Sequence, residues 1–246
     1  MKNQYIGDIG DCGKYGLLRF LRDSGIKIGV NWYLTPNDGR TDGFHTEYLG
    51  MEAMRQYDIE LFEAMKNLAP LKKKHIGMVE SSGVLDGIIF YNDKMDFDSS
   101  PSRIRGEKRA EWHRRALTAL SGCELVFADP DNGLIDRKPS AKGAQKYILP
   151  EEIECYFKRG QQVVYYQHRP RINETNWGAF KRRILTKIPE ARLLAVSFNR
   201  WSCRTYIFVL HENEYTRYEK LIGSFLESNW GQFIVRGKPA FIPEII

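Results

Sequence analysis

Cysteine is sparse in this chain, and what is absent around it sets the first limits. Cys12, Cys123, Cys155 and Cys203 are scattered, without the Cys-x-x-Cys spacing of a zinc site or the density of a disulfide scaffold. Cys123 and Cys155 have apolar sequence surroundings, so reduced thiols in a cytoplasmic protein are expected. No apolar run, not even Arg192 to Phe198 with its neighbours, approaches a membrane span, and Lys2, Asn3 and Gln4 do not read as a secretory leader. A membrane partner is not expected. Internal repeats and low-complexity tracts are missing too, which argues against a solenoid or a disordered chain.

What is present is 246 residues of ordinary globular composition, enough for a sizeable core. A single α/β domain over 1–246 is expected, with a small insertion around 44–75 or 92–105. The net charge of +6 favours a polyanionic partner, because neutralising phosphates releases counterions. The positive residues cluster as Arg103, Arg105, Lys108, Arg109, Arg114 and Arg115, then Arg137, Lys138, Lys142 and Lys146, then Arg169 and Arg171.

Periodicity gives the order of elements. Asp11 to Arg22 reads as a helix capped by Asp11, and Ile28 to Leu34 as a strand running into the polar segment Thr35 to Gly43. Ile59 to Leu68 is helical, and His75 to Glu80 and Ile88 to Tyr91 are short strands. Arg105 to Leu120 is a helix expected to turn its basic residues outward, and it leads into the strand Glu124 to Ala128. Helices at Pro150 to Arg159, Trp177 to Lys187 and Glu214 to Glu227 accompany strands at Gln162 to Gln167, Ala191 to Phe198 and Thr205 to Leu210. The last two strands are too close for a helical crossover and must form an antiparallel hairpin. A mostly parallel, Rossmann-like sheet flanked by helices and closed by that hairpin follows, of the type found in methyltransferases.

The segment Asp129-Pro130-Asp131-Asn132-Gly133 breaks off a buried apolar strand at the carboxyl end of that sheet, where ligands of open α/β sheets bind. Three readings fit it. Its acidic and amide groups and carbonyls can accept hydrogen bonds from an exocyclic amine; Asp129 and Asp131 can hold Mg²⁺; or the segment is a plain turn. Gly7 to Gly16 resembles a phosphate-binding loop only superficially, since Tyr15 replaces the required hydroxyl and no strand precedes it. Its glycines permit a close backbone approach to ligand or to chain, with Lys14 exposed on the first helical turn. At another strand end, His168 can donate or accept a proton while Arg169 and Arg171 hold phosphate, or else the histidine is buried and the arginines solvated. Glu80 can bind a ribose hydroxyl or simply begin a loop.

Two motifs carry a family resemblance. Asp11-Cys12-Gly13-Lys14 resembles the opening Asp-x-x-Lys helix, and Asp129-Pro130-Asp131-Asn132 the Asp-Pro-Pro-Tyr motif, of the bacterial ribosomal RNA adenine-N6 methyltransferases. Those are class I enzymes that use S-adenosylmethionine. The resemblance implies that Asp129 and Pro130 approach the target amine and that the loop after Leu34 approaches the cofactor. The family's Gly-x-Gly is replaced here by Pro36-Asn37-Asp38-Gly39-Arg40, and its second proline and aromatic by Asp131 and Asn132.

The leading expectation is a methyltransferase-like enzyme acting on nucleic acid or a nucleotide-containing substrate. Asp129, Pro130, Asp131 and Asn132 orient the substrate, and Thr35, Asn37, Asp38, Gly39 and Glu80 face S-adenosylmethionine. Lys14, Arg40, Lys142, Lys146, His168, Arg169 and Arg171 hold phosphate. One alternative is a Mg²⁺-dependent nuclease or phosphohydrolase with Asp8, Asp11, Asp129 and Asp131 as ligands. Another is a noncatalytic nucleic-acid-binding module.

Overall fold

The computed structural model describes residues 1–39, 44–136, 138–235 and 237–246. At its centre lies a seven-stranded sheet built in chain order from β1 (Ile28–Asn31), β2 (Ile89–Tyr91), β3 (Leu125–Ala128), β4 (Gln162–His168), β5 (Arg192–Arg200), β6 (Ser202–Leu210) and β7 (Phe241–Pro243). Across the sheet the order is β2-β1-β3-β4-β6-β5-β7. The pairs β2·β1, β1·β3 and β3·β4 are parallel, whereas β6 runs antiparallel to both β4 and β5. This is the expected α/β architecture with its closing hairpin. A small antiparallel ladder of Ile234–Val235 with Lys238–Pro239 lies near the C-terminus.

The helices that cover the sheet are α1 (Ile9–Asp23), α2 (Ile59–Leu68), α3 (Ser102–Ala119), α4 (Pro150–Phe157), α5 (Glu174–Arg182) and α6 (Glu212–Glu227). Successive strand residues serve opposite cores, because side chains alternate across a strand. Leu125 and Phe127 pack with Leu18, Leu61 and Phe225 on one face. Val126 and Ala128 pack with Trp112, Ile153 and Tyr156 on the other. All four residues of β3 are therefore buried, as a strand covered on both faces requires.

The hairpin follows from a connection of one residue. Trp201, with φ of +58°, joins β5 to β6, which leaves no chain for a crossover. The glycines of α1 turn out to admit chain: a Cβ on Gly13 would lie 2.6 Å from the Phe198 ring, and one on Gly16 would lie 2.2 Å from Trp230.

Several local expectations are corrected. The cap of α1 is Asp8, whose side chain accepts from the Gly10 N–H, and Asp11 sits inside the first turn. The segment expected as a strand at His75 to Glu80 is the short helix Ile76–Glu80, started by a bond from the Gly77 N–H to His75 Nδ1. β1 stops at Asn31 rather than Leu34, because Asn31 Oδ1 accepts from the Tyr33 N–H at 3.3 Å and Tyr33 takes a φ of +45°. That conformation is rare for a bulky side chain and ends the ladder. Cys155 is exposed on α4 rather than set among apolar groups. Arg109 does not face outward; it is buried in an ion pair with Glu152 at 2.7 Å. Among the described residues no helix is long and apolar enough to cross a membrane.

Candidate functional site

The chain leaves β1 for β2 on one side, while β3 pairs with β1 on the other, so the order of the sheet reverses at the β1·β3 junction. Crevices form there because successive connections diverge. Asp129 follows β3 and donates its backbone N–H to Asn31 O at 2.9 Å, which places the Asp129-Pro130-Asp131-Asn132 turn at this point. A cavity of about 420 Å³ opens beside it, lined by Asp8, Asp11, Lys14, Asp129, Pro130, Asp131, Asn132, Lys146, His168 and further residues. That volume falls within the usual range for small-molecule sites.

The turn is held from two directions. Gly133 adopts φ of +106°, and Gln167 of β4 fills the space its missing side chain leaves, accepting from the Leu134 N–H and donating to Asn132 O. The turn reading and the functional reading are thus compatible: the same bends that close the turn aim Asp129 into the cavity.

Lys14, expected on the surface, is only 4% exposed. Its ammonium bridges Asp129 Oδ2 at 2.7 Å and Asp11 Oδ1 at 2.9 Å. Burial opposes the charge on Lys14, but Asp11 and Asp129 outweigh it and hold the pKa above the ordinary lysine value. One ammonium between two carboxylates leaves a surplus of negative charge, and burial pushes the Asp11 carboxyl up despite Lys14. Asp131 is also buried, yet the amino group of Met1 at 2.8 Å, Lys2 at 3.4 Å and the Thr35 hydroxyl at 2.9 Å hold its pKa below the ordinary value. Met1 N also donates to Asp129 O at 2.9 Å and Tyr33 O at 3.2 Å. Asp8, besides capping α1, accepts from the His45 N–H and from Arg204.

Each of the four carboxylates considered as Mg²⁺ ligands is therefore engaged by a cation or a backbone N–H. Among the described residues no three His, Cys, Asp or Glu side chains converge as a metal site.

Other expected residues lie at differing distances from the cavity. Thr35 reaches it through Asp131, and Asp38 through Lys2 at 2.8 Å. Asn37 Oδ1 accepts from the Gln4 N–H at 3.3 Å, while Gly39 has open space around it. Both Glu80 oxygens are taken, by Trp32 Nε1 at 2.8 Å and the Asn92 amide, away from the cavity lining. Arg169 pairs with Glu174 and lies over the Trp177 ring; Lys142 and Arg171 are exposed. Arg40 lies outside the described residues.

His168 lies exposed at the rim of the cavity, and partial desolvation together with the Arg204 charge presses its pKa below the ordinary histidine value. Sequence reasoning missed Met1, Lys2, Tyr5, His45, Tyr166, Arg204 and Tyr206, which also line the cavity. For Tyr166 a signal existed: it stands two residues before His168, so in an extended segment the two share a face.

No family model and no curated protein matches this chain. Among solved structures it is similar to LPL1258 of Legionella pneumophila str. Philadelphia 1, of the family model DUF519, at 12% identity over 97% of this chain and 96% of that one, with a TM-score of 0.42. A likeness this remote carries no argument about function.

Proposed function

We propose that this chain is a methyltransferase-like enzyme that uses S-adenosylmethionine and acts on an amine of a nucleic acid or nucleotide-containing substrate, in the cytoplasm. The observation that carries the reading is the placement of Asp129: it lines the cavity beside Pro130 with its carboxylate fixed by Lys14 at 2.7 Å. An ionised carboxylate can accept about four hydrogen bonds, so Asp129, fixed by Lys14 beside the proline turn, is suited to accept further from the hydrogens of an exocyclic amine. Holding them aims the nitrogen lone pair into the cavity, and such alignment is a large part of catalysis of group transfer. The α/β sheet, with parallel strands and an antiparallel hairpin, supports the reading.

The lining suits a zwitterionic, positively charged cofactor. Asp11 and Asp131 offer carboxylates to an ammonium and a sulfonium, Thr35 steadies Asp131, and Lys14 and Arg204 complement a carboxylate. When bound, the cofactor supplies an electrophilic methyl group. Lys146 and His168 on the same cavity, with the exposed Lys142 and Arg171, supply cationic or donor groups for phosphate.

Calorimetry with S-adenosylmethionine and S-adenosylhomocysteine tests the reading. We expect binding that weakens when Asp131→Asn removes the fixed carboxylate. Absence of heat from both ligands at millimolar concentration would remove it.

A further inference from the structure

One wall of the cavity carries polar atoms that the fold itself does not satisfy. Tyr166 and His168 on β4 stand directly opposite Tyr206 and Arg204 on β6 in the antiparallel register, and all four line the cavity. The Tyr206 side chain is 0% exposed, and its hydroxyl has no hydrogen-bond partner among the described residues. Arg204 gives Nη2 to Asp8 Oδ1 at 2.8 Å, while its Nη1 is buried and equally without a partner among the described residues. A buried donor left unpaired is costly, so a cavity that retains two of them on one wall is shaped for something that accepts from both.

Their setting indicates the sign of that ligand. The Arg204 guanidinium presses against the first turn of α1, where a Cβ on Gly10 would fall 2.2 Å from its central carbon. A cation there meets the positive end of a fifteen-residue helix; Asp8, which compensates it, is already employed as the helix cap, and Asp11 in the first turn is taken up by Lys14. A further negative group would relieve the helix end and the guanidinium together. Tyr206 adds a neutral donor that binds an anion without adding charge.

We propose that Arg204 Nη1 and the Tyr206 hydroxyl form an oxyanion subsite, with His168 at its edge, that takes either a nucleotide phosphate or the carboxylate of an amino-acid-bearing cofactor. The subsite rests on the methyltransferase reading only for the choice of ligands to try. Its donors recognise the oxyanion whatever the chemistry performed beside it.

Titration calorimetry with two ligand pairs tests it: AMP against adenosine, and S-adenosylmethionine against its decarboxylated form. Each pair differs by the oxyanion. The proteins are the wild type, Tyr206→Phe and Arg204→Lys. Tyr206→Phe removes a hydroxyl that holds nothing in the fold, so its melting temperature should equal or exceed that of the wild type. Arg204→Lys keeps the charge beside Asp8 and loses the second guanidinium donor. In at least one pair the oxyanion-bearing member should bind the wild type about tenfold or more tightly, as expected for a charge-assisted hydrogen bond, and both variants should lose most of that preference. Preference for AMP assigns the subsite to substrate phosphate, and preference for S-adenosylmethionine assigns it to the cofactor carboxylate. If AMP is preferred and S-adenosylmethionine does not bind, the subsite stands and the methyl-donor reading falls. If neither pair discriminates, or if both variants keep the full preference, the subsite is refuted.

Discussion

Replacing Lys14 with methionine removes the one ammonium that bridges Asp11 and Asp129 and leaves most of the apolar stem in place. Both contacts are short, 2.9 and 2.7 Å, and all three groups are buried, so solvent cannot take over the lost role. Removing one partner of such a cluster costs about 3–5 kcal/mol, mostly because the remaining charges stay buried without compensation. With an m-value of about 2–3 kcal/mol/M in urea, the unfolding midpoint should fall by about 1–2.5 M. The loss should depend on pH with a definite sign. Burial already raises the Asp11 pKa with Lys14 present, and without the ammonium the main opposition to that push is gone. A carboxyl whose folded-state pKa is raised contributes stability that is present below the unfolded value of about 3.9 and is lost as pH rises through the folded value. The gap between variant and wild type should therefore be widest near pH 8 and shrink as pH falls. Adding Asp129→Asn to the variant should recover part of the loss. Urea melts followed by circular dichroism at several pH values measure all of this. A loss under about 1 kcal/mol, or one independent of pH, would refute the claim that the ammonium neutralises buried carboxylates.

Three further outcomes follow from the same structure. Arg109→Met should cost about 3–5 kcal/mol in urea melts, because Glu152 is then buried with only neutral donors, Tyr33 at 3.0 Å and Leu149 N. In the wild type, burial would raise the Glu152 pKa but Arg109 outweighs it and lowers it, so that stability is present above pH of about 4.3 and lost as pH falls through the folded value. The His168 ring, observed by NMR, should titrate below about 6.5, and Arg204→Met should raise its midpoint by removing a neighbouring positive charge. Gly13→Ala should destabilise by about 1–3 kcal/mol in thermal or urea melts, since the new methyl meets the Phe198 ring, whereas Gly122→Ala, which has open space, should not.

The sheet was legible because its signals are local and redundant. Leu125 to Ala128 is apolar throughout, as a strand buried on both faces must be, and the short step from β5 to β6 admits only an antiparallel return. The turn after β3 was equally visible in Asp129-Pro130 and Gly133. The strand at His75 to Glu80 failed because a few apolar residues have no decisive period, and the His75 ring and Asn3 side chain capped the backbone as a helix.

What the sequence determined by itself is therefore the fold class, most of the helices and strands, and the position of one acidic turn at a strand end. Only the tertiary structure decided the electrostatics of the site. Lys14 lies 115 residues from Asp129 in sequence, and Asp8 lies 196 from Arg204, so neither pairing leaves a trace in local spacing. The same holds for the basic surplus, which reads as a surface for polyanions until folding buries Lys14 and Arg109 against carboxylates. Charge is countable in a sequence, but whether it faces solvent or a buried partner depends on which distant segments the sheet brings together.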